Sequence, residues 1–344
     1  MLIPYPLRLA PFFRDYLWGG RKLQTVLGKE LPTQGVWAES WEIVDHAEHS
    51  SQILNGPLAG TTLRQLSQTH PAWLHGADAP DQAAAGRALP LLLKYLDCQR
   101  VLSVQVHPDD AYASRMQSPD LGKTEAWYII AAEPEAVLYA GLRAGVTASD
   151  LRAALAEGAV EQCLHAIYPQ SGDCVFIPAG TVHALGAGLL VAEIQQASNT
   201  TFRLFDWNRV DAQGQPRELH VEQSLEVIDF SSGPRDLQSP HSLRDSGGVV
   251  VHQRLVECDK FVLDRLQSGA AASTSLPLGG DGRCHLLTVP SGTATIAWDD
   301  AVASGAATQT ERLDAGQSLL LPATMPAVSV LLEPDSTLLD MYAP

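Results

Sequence analysis

GDCVFIPAGTVHALGAG, residues 172–188, is the stretch whose reading decides the fold. Gly172 and Asp173 supply a turn, and Cys174, Val175, Phe176 and Ile177 form a run apolar enough for a buried strand. Pro178, Ala179 and Gly180 then make a tight reversal, since Pro lacks an N–H and Gly accepts left-handed backbone. That reversal delivers His183 onto the next strand. Residues 316–327, GQSLLLPATMPA, repeat the plan: Gly, a polar residue, a four-residue strand, Pro-Ala and a turn. Where the first stretch has Gly180 and His183, the second has Thr324 and Ala327. The match predicts two copies of one β-fold, of which only the first kept a ligating His.

Working outward, VLSVQVHPDD (residues 101–110) reads as a strand whose side chains alternate faces. Leu102, Val104 and Val106 point one way; Ser103, Gln105 and His107 point the other. An amide and an imidazole two residues apart on one face can reach a single ion. In GKTEAWYII (residues 122–130) the same alternation puts Lys123 and Glu125 on the face of Trp127, at the start of an apolar strand. A carboxylate leading into such a strand needs a counter-charge, either a metal or a nearby Lys. Each segment alone also admits a plainer account: a half-solvated strand, a surface Lys123–Glu125 pair, a solitary histidine. Together they offer two imidazoles, a carboxylate and an amide oxygen. Such nitrogen and oxygen ligands suit Zn²⁺, Mn²⁺, Fe²⁺, Co²⁺ or Ni²⁺, and the lack of thiolates argues against a closed structural zinc site. One carboxylate leaves the centre net positive, which suits a Lewis acid polarising a substrate oxygen.

The rest of the chain is strand-like and punctuated by Gly and Pro. Further strands are expected at residues 126–130, 189–194 and 201–207, and helical spacing appears at residues 63–76 and 147–167, the second opening on Thr147 or Ser149 as cap. SSGPRDLQSPHSLRDSGG (residues 231–248) reads as a linker. The short runs of residues 249–344 suggest a sandwich or barrel. The expected architecture is mainly β: two barrel or jelly-roll domains, residues 1–235 with the metal ligands and a few inserted helices, and residues 249–344 without ligands.

With 344 residues, 45% of them hydrophobic, the chain can bury a real core. A net charge of −16 argues against nucleic acid and anionic membranes as partners, so any phosphorylated substrate must meet cations concentrated locally. No apolar run is long enough to span a bilayer, and the N-terminus, with Pro4, Pro6, Arg8 and Arg14, lacks a clean signal sequence. Five scattered cysteines form no CxxC pair and no disulfide framework, which points to reduced thiols in a cytoplasm. Monomer and homodimer are both left open.

The arrangement Gly-x5-Pro-x-Gly-x2-His of residues 172–183 is the second motif of the cupin superfamily. LPLLLKYLDCQRVLSVQVHPDD, GKTEAWYII, GDCVFIPAGTVHALGAG and EIQQASNTTFRLFDWNR resemble successive blocks of the type I mannose-6-phosphate isomerases, as FFRDYLWGG and WAESWEIVDH resemble the first two. The resemblance covers residues 5–230 strongly, and it is to the short bacterial branch without a large helical insertion. It implies that one divalent metal, zinc first among the candidates, is held by Gln105, His107, Glu125 and His183. It further implies a catalytic Arg203, with Lys94 and Lys123 in proton transfer or substrate binding, and Ser103, Trp18 and Glu39 lining the pocket. Arg209 stands where relatives place a phosphate-contacting lysine. Lys94 lies in the apolar run LPLLLKYLD, where it either snorkels outward or is held near a charge. Two departures from the general cupin pattern stand out: Gln-x-His replaces His-x-His with its Glu 18 residues on, and Ala187 replaces the closing Asn. The implied reaction interconverts mannose 6-phosphate and fructose 6-phosphate through a cis-enediol. An isomerase of an unphosphorylated hexose and a non-catalytic sugar-binding cupin are the alternatives.

Overall fold

The computed structural model describes residues 2–76, 89–210, 213–245, 250–270, 275–299 and 308–344. Thirteen strands occupy the first part: β1 (Phe12–Arg14), β2 (Glu39–Ile43), β3 (Asp45–His46), β4 (His49–Ser50), β5 (Leu91–Cys98), β6 (Val104–Val106), β7 (Glu125–Ala132), β8 (Leu138–Leu142), β9 (Leu164–Ile167), β10 (Cys174–Ile177), β11 (His183–Leu185), β12 (Leu189–Gln196) and β13 (Phe202–Phe205). Ten follow: β14 (His241–Asp245), β15 (Val250–Glu257), β16 (Val262–Ser268), β17 (Ser275–Leu278), β18 (His285–Ser291), β19 (Thr293–Asp299), β20 (Thr308–Asp314), β21 (Ser318–Leu321), β22 (Val328–Leu332) and β23 (Thr337–Tyr342).

Apart from the β3–β4 hairpin, these strands form four sheets. The first six-stranded sheet runs β1-β2-β5-β12-β7-β10, and the other runs β14-β15-β16-β23-β18-β21. Their orders correspond strand for strand. A five-stranded sheet, β13-β6-β11-β8-β9, belongs with the first, and a four-stranded one, β17-β22-β19-β20, with the second. These also correspond, with β13 as the extra strand. The repeat seen in residues 172–183 and 316–327 thus extends to a whole topology.

The core follows from strand alternation. Outward-facing residues of the first large sheet, among them Leu93, Tyr95, Tyr128, Ala192 and Ile194, share one apolar cluster with Phe261, Leu263, Leu286, Leu320, Leu339 and Met341. The two large sheets therefore pack back to back, and each buried Leu or Phe there contributes roughly 1.5–3 kcal/mol. The chain start reinforces this contact, since Leu7 and Leu320 exchange backbone hydrogen bonds of 2.8 and 3.0 Å. Inward-facing residues, including Leu96, Ile129, Val175, Leu185 and Val191, form a separate cluster below the polar site.

Local elements depart from expectation in three places. The helical pattern at residues 63–76 resolves into Leu63–Thr69 and Pro71–His75, broken where Pro71 forces the preceding residue out of helical backbone. The pattern from Thr147 gives a helix at Ala148–Glu157 only: Thr147 and Asp150 make a capping box and Gly158 (φ 69°) ends it, before a short 3-10 turn and β9. The expected linker is no free connector. Pro234 bridges to Gly141, Leu237 bridges to Val175, and His241–Asp245 is strand β14, while residues 246–248 lie outside the described residues. Gly233 (φ 64°) and Pro234 shape a turn that rests against strands of the first part.

Candidate metal centre

Two sheet faces oppose each other and supply the site. On the smaller sheet, Arg203, Gln105 and His183 are in register across β13, β6 and β11, so their side chains share a face. On the larger sheet, Trp41, Lys94, Glu193 and Trp127 form a row across β2, β5, β12 and β7. Glu125 opens β7, two residues before Trp127 and thus on the same face.

His107, Glu125 and His183 converge, all buried, with their ligand atoms within 4.8 Å of one another. His107 Nδ1 lies 2.9 Å from the Thr200 carbonyl and His183 Nδ1 lies 2.8 Å from that of Thr181. A carbonyl only accepts, so each Nδ1 donates and each Nε2 carries a lone pair. Those lone pairs face Glu125: Nε2 of His183 is 3.3 Å from Oε1 and Nε2 of His107 is 3.7 Å from Oε2. Neighbouring ligands of a four-coordinate zinc with bonds of about 2.1 Å stand roughly 3.4 Å apart. Nε2 of His183 is buried and has no hydrogen-bond partner. Acceptors aimed at acceptors call for a cation between them, and the Lys123 ammonium supplies one at the edge, donating to His107 Nε2 at 2.9 Å and to Glu125 Oε2 at 2.5 Å.

Electrostatics agree with a metal. Burial, and then the Lys123 charge, push His107 well below the ordinary histidine range and His183 down to about 3, so both imidazoles stay neutral. Burial pushes Glu125 up to about 7, with Glu193 adding to the rise and Lys123 opposing it. Burial alone would lower Lys123, but Glu125 and Glu193 outweigh it and hold the ammonium raised. The donor set fits a divalent ion.

Gln105 stands opposite His183 in the register, where an amide oxygen can join the set. Lys94 is buried, 3.5 Å from Glu193 and 4.8 Å from the Trp41 ring centre, so it is held near a charge and does not snorkel. Glu193, which the sequence reading passed over, accepts from Trp127 Nε1 at 3.2 Å; burial raises its pKa, yet Lys123 and Lys94 win and hold it lowered. Its signal was the one that exposed Lys94, a charge inside the apolar run LLVAEIQQ. Arg203 donates through Nη1 to the Glu218 carbonyl at 2.8 Å, and its buried Nε has no partner. Burial and the neighbouring Arg217 and Arg209 lower its pKa, a cluster of cations suited to an anion. Arg209 is already engaged, donating to Asp206 and, at 2.6 Å, to the Val101 carbonyl.

Ser103 is buried just before β6, where strand alternation had not yet begun: Leu102 packs with Cys98 in the inner cluster, while Val104 and Val106 pack in another. Leu102 therefore does not share the face of Val104 and Val106. Glu39 accepts from Trp41 Nε1 at 2.6 Å, and Trp18 stacks on Tyr16 with ring centres 5.9 Å apart. The backbone on either side of Lys123 is clamped: Asp110 accepts from the Gly122 amide at 2.8 Å, and Gln196 accepts from the Thr124 amide at 3.0 Å.

The equivalent positions of the second sheet pair carry other residues. Ile177 pairs with Glu125 where Leu321 pairs with His285, and Glu193 stands beside Trp127 where Asp340 stands beside Leu287. His285 Nδ1 lies 2.8 Å from Asp340 and its Nε2 lies 3.0 Å from Asp281, so both nitrogens are committed to opposite carboxylates and cannot converge on an ion. Among the described residues, His107, Glu125 and His183 are the group that could hold a metal.

Comparison with known proteins points the same way. The family "Phosphomannose isomerase type I, catalytic domain" matches residues 7–136. "Probable mannose-6-phosphate isomerase GmuF" of Bacillus subtilis is 44% identical over 65% of this chain and 68% of its own length. Mannose-6-phosphate isomerase ManA of the same organism is 37% identical over 78% of this chain and 81% of its own. The crystal structure of mannose 6-phosphate isomerase from Bacillus subtilis superposes with a TM-score of 0.84 at 30% identity, covering 98% of this chain and 99% of that one. A variant of phosphomannose isomerase from Salmonella typhimurium shares the fold, with a TM-score of 0.74 at 18% identity over 98% and 99% of the two chains. On its sequence, its fold and its buried His–Glu–His group, the chain belongs to the type I phosphomannose isomerase family.

Proposed function

We propose that this protein reversibly interconverts mannose 6-phosphate and fructose 6-phosphate in the cytoplasm. The carrying observation is the convergence of two neutral imidazoles and a buried carboxylate, facing a row that holds Lys94 and Glu193. The five cysteines are free, in keeping with a reducing compartment, and among the described residues no helix is long and apolar enough to cross a membrane. Residues 1–235 form the catalytic domain in this reading, and residues 249–344 a second barrel.

His107, Glu125 and His183, with Gln105 as fourth ligand, would hold Zn²⁺, which when bound supplies a Lewis acid that stabilises negative charge developing on the sugar oxygens. Aldose–ketose exchange removes a proton from C2 and returns one to C1 through a cis-enediol. Lys94, held 3.5 Å from Glu193, is assigned as the base: in its neutral form the amine takes the C2 proton, and the ammonium so formed returns it to C1. Arg203 faces the same space and stabilises the oxyanion, while Lys123 orients a sugar oxygen. Ser103 and Arg209 contact phosphate, and Trp18 and Glu39 line the approach.

The test is turnover of mannose 6-phosphate against mannose. Fructose 6-phosphate should form, and Arg209→Ala should raise KM for the phosphorylated sugar. Equal turnover of mannose would favour an unphosphorylated hexose, a second reading kept because Arg209 is already engaged by Asp206 and Val101.

A further inference from the structure

Asp120 sits outside the metal centre, in the loop before β7, yet it is the most heavily bonded carboxylate near it. Its oxygens lie 3.1 Å from His46 Nε2, 3.0 Å from the Ser198 hydroxyl and 3.1 Å from the Thr200 hydroxyl. They also accept from the backbone amides of Leu121 at 2.8 Å and Asn199 at 3.4 Å. Three consecutive residues of the turn between β12 and β13, Ser198, Asn199 and Thr200, are thus tied to one side chain. The carbonyl at the end of that turn, of Thr200, accepts the Nδ1 proton of His107 at 2.9 Å.

We propose that Asp120, backed by His46, is a positioning residue for the metal centre: it fixes the turn whose carbonyl sets the tautomer and aim of His107. The chain of contact runs His46, Asp120, Ser198 and Thr200, His107 Nδ1, and only then the lone pair on Nε2. A metal-binding imidazole is oriented by the partner of its other nitrogen, and loss of such outer partners typically weakens metal binding about 10–100-fold. Here the partner is a carbonyl on a turn, so the burden of orienting it passes to what holds the turn. Other bonds also hold it, notably Gln195 Nε2 to the Ser198 carbonyl at 2.6 Å. The effect of losing Asp120 therefore falls toward the lower end of that range. The inference rests on His107 being a metal ligand.

Full-length protein freed of metal would be titrated with Zn²⁺ against a competing chelator, for wild type, Asp120→Asn and Thr200→Val, with the Co²⁺ absorption spectrum and the unfolding midpoint of the metal-free forms recorded alongside. Asp120→Asn should bind Zn²⁺ about tenfold more weakly with a changed Co²⁺ spectrum, and the metal-free midpoint separates that loss from a loss of fold. Thr200→Val removes a single tie to Asp120 and keeps the carbonyl; it should show the same change at a few-fold, and it decides the matter if Asp120→Asn fails to fold. Zn²⁺ affinity within twofold of wild type in the folded variants would overturn the role of Asp120, whether or not the midpoint falls. Absence of Zn²⁺ binding by wild type would instead overturn the metal centre itself.

Discussion

At the scale of single residues, the site is a set of charges that burial makes costly, beside two imidazole lone pairs that converge with Glu125 on room for a divalent cation. Lys94 and Lys123 face Glu125 and Glu193 in nearly water-free surroundings, and each deletion leaves an unpaired partner. Lys94→Ala is expected to lower kcat by about 100- to 10,000-fold, the range of general acid–base catalysis, while the zinc content stays at wild-type level. Near-normal kcat in steady-state assays would remove Lys94 from the chemistry. His107→Ala should do the reverse, losing the metal first, as measured by elemental analysis. Lys94 and Glu125 were legible in the sequence because a charge inside an apolar run demands a reason. Glu193 met the same criterion but escaped, because its reason is a cross-strand pairing with Lys94 that the sequence does not display.

At the scale of elements, the alternation of strands carried most of what could be read. It put Gln105 on the face that carries His183 and failed at Leu102, where the strand had not started. The Pro-Ala-Gly reversal does more than deliver His183. Gly180 takes φ +83° and its amide donates to the His107 carbonyl at 2.9 Å, so one turn ties both histidines together. A Cβ there would meet the Val227 carbonyl oxygen at 3.0 Å. Gly180→Ala is expected to cost about 1–2 kcal/mol in denaturant unfolding, from left-handed backbone strain, and to weaken metal retention. Unfolding and metal binding both equal to wild type would contradict the coupling. The helix boundaries were overrun because apolar spacing was given weight over the stop signals Pro71 and Gly158.

At the scale of the molecule, duplication was visible in twelve residues and is written into the order of four sheets. What the sequence hid is what fills the second copy. There His285 takes the place of Glu125 and is clamped by Asp340 and Asp281, which overcome burial and hold the imidazolium up to about 10. The folded protein thus keeps a proton that the unfolded chain releases near the ordinary value of 6.5. This stabilisation is complete below pH 6.5 and is lost as the pH rises to about 10. Unfolding free energy measured across that window should fall in wild type, and His285→Gln should flatten the fall; an equal slope in both would show that His285 does not carry it. The second half also reaches toward the site: Lys260 pairs at 2.8 Å with Asp110, which clamps Gly122 beside Lys123. Lys260→Ala is expected to change stability by only about 0–1 kcal/mol, because the pair is partly exposed, and to show its effect in KM for mannose 6-phosphate. The most direct measurement of the whole account is a titration of chelated protein with Zn²⁺ while mannose 6-phosphate turnover is followed. Activity should be absent at the start, rise in proportion to added metal and level off at one equivalent per chain. Turnover that survives chelation, or a break at two equivalents, would contradict a single metal centre at His107, Glu125 and His183.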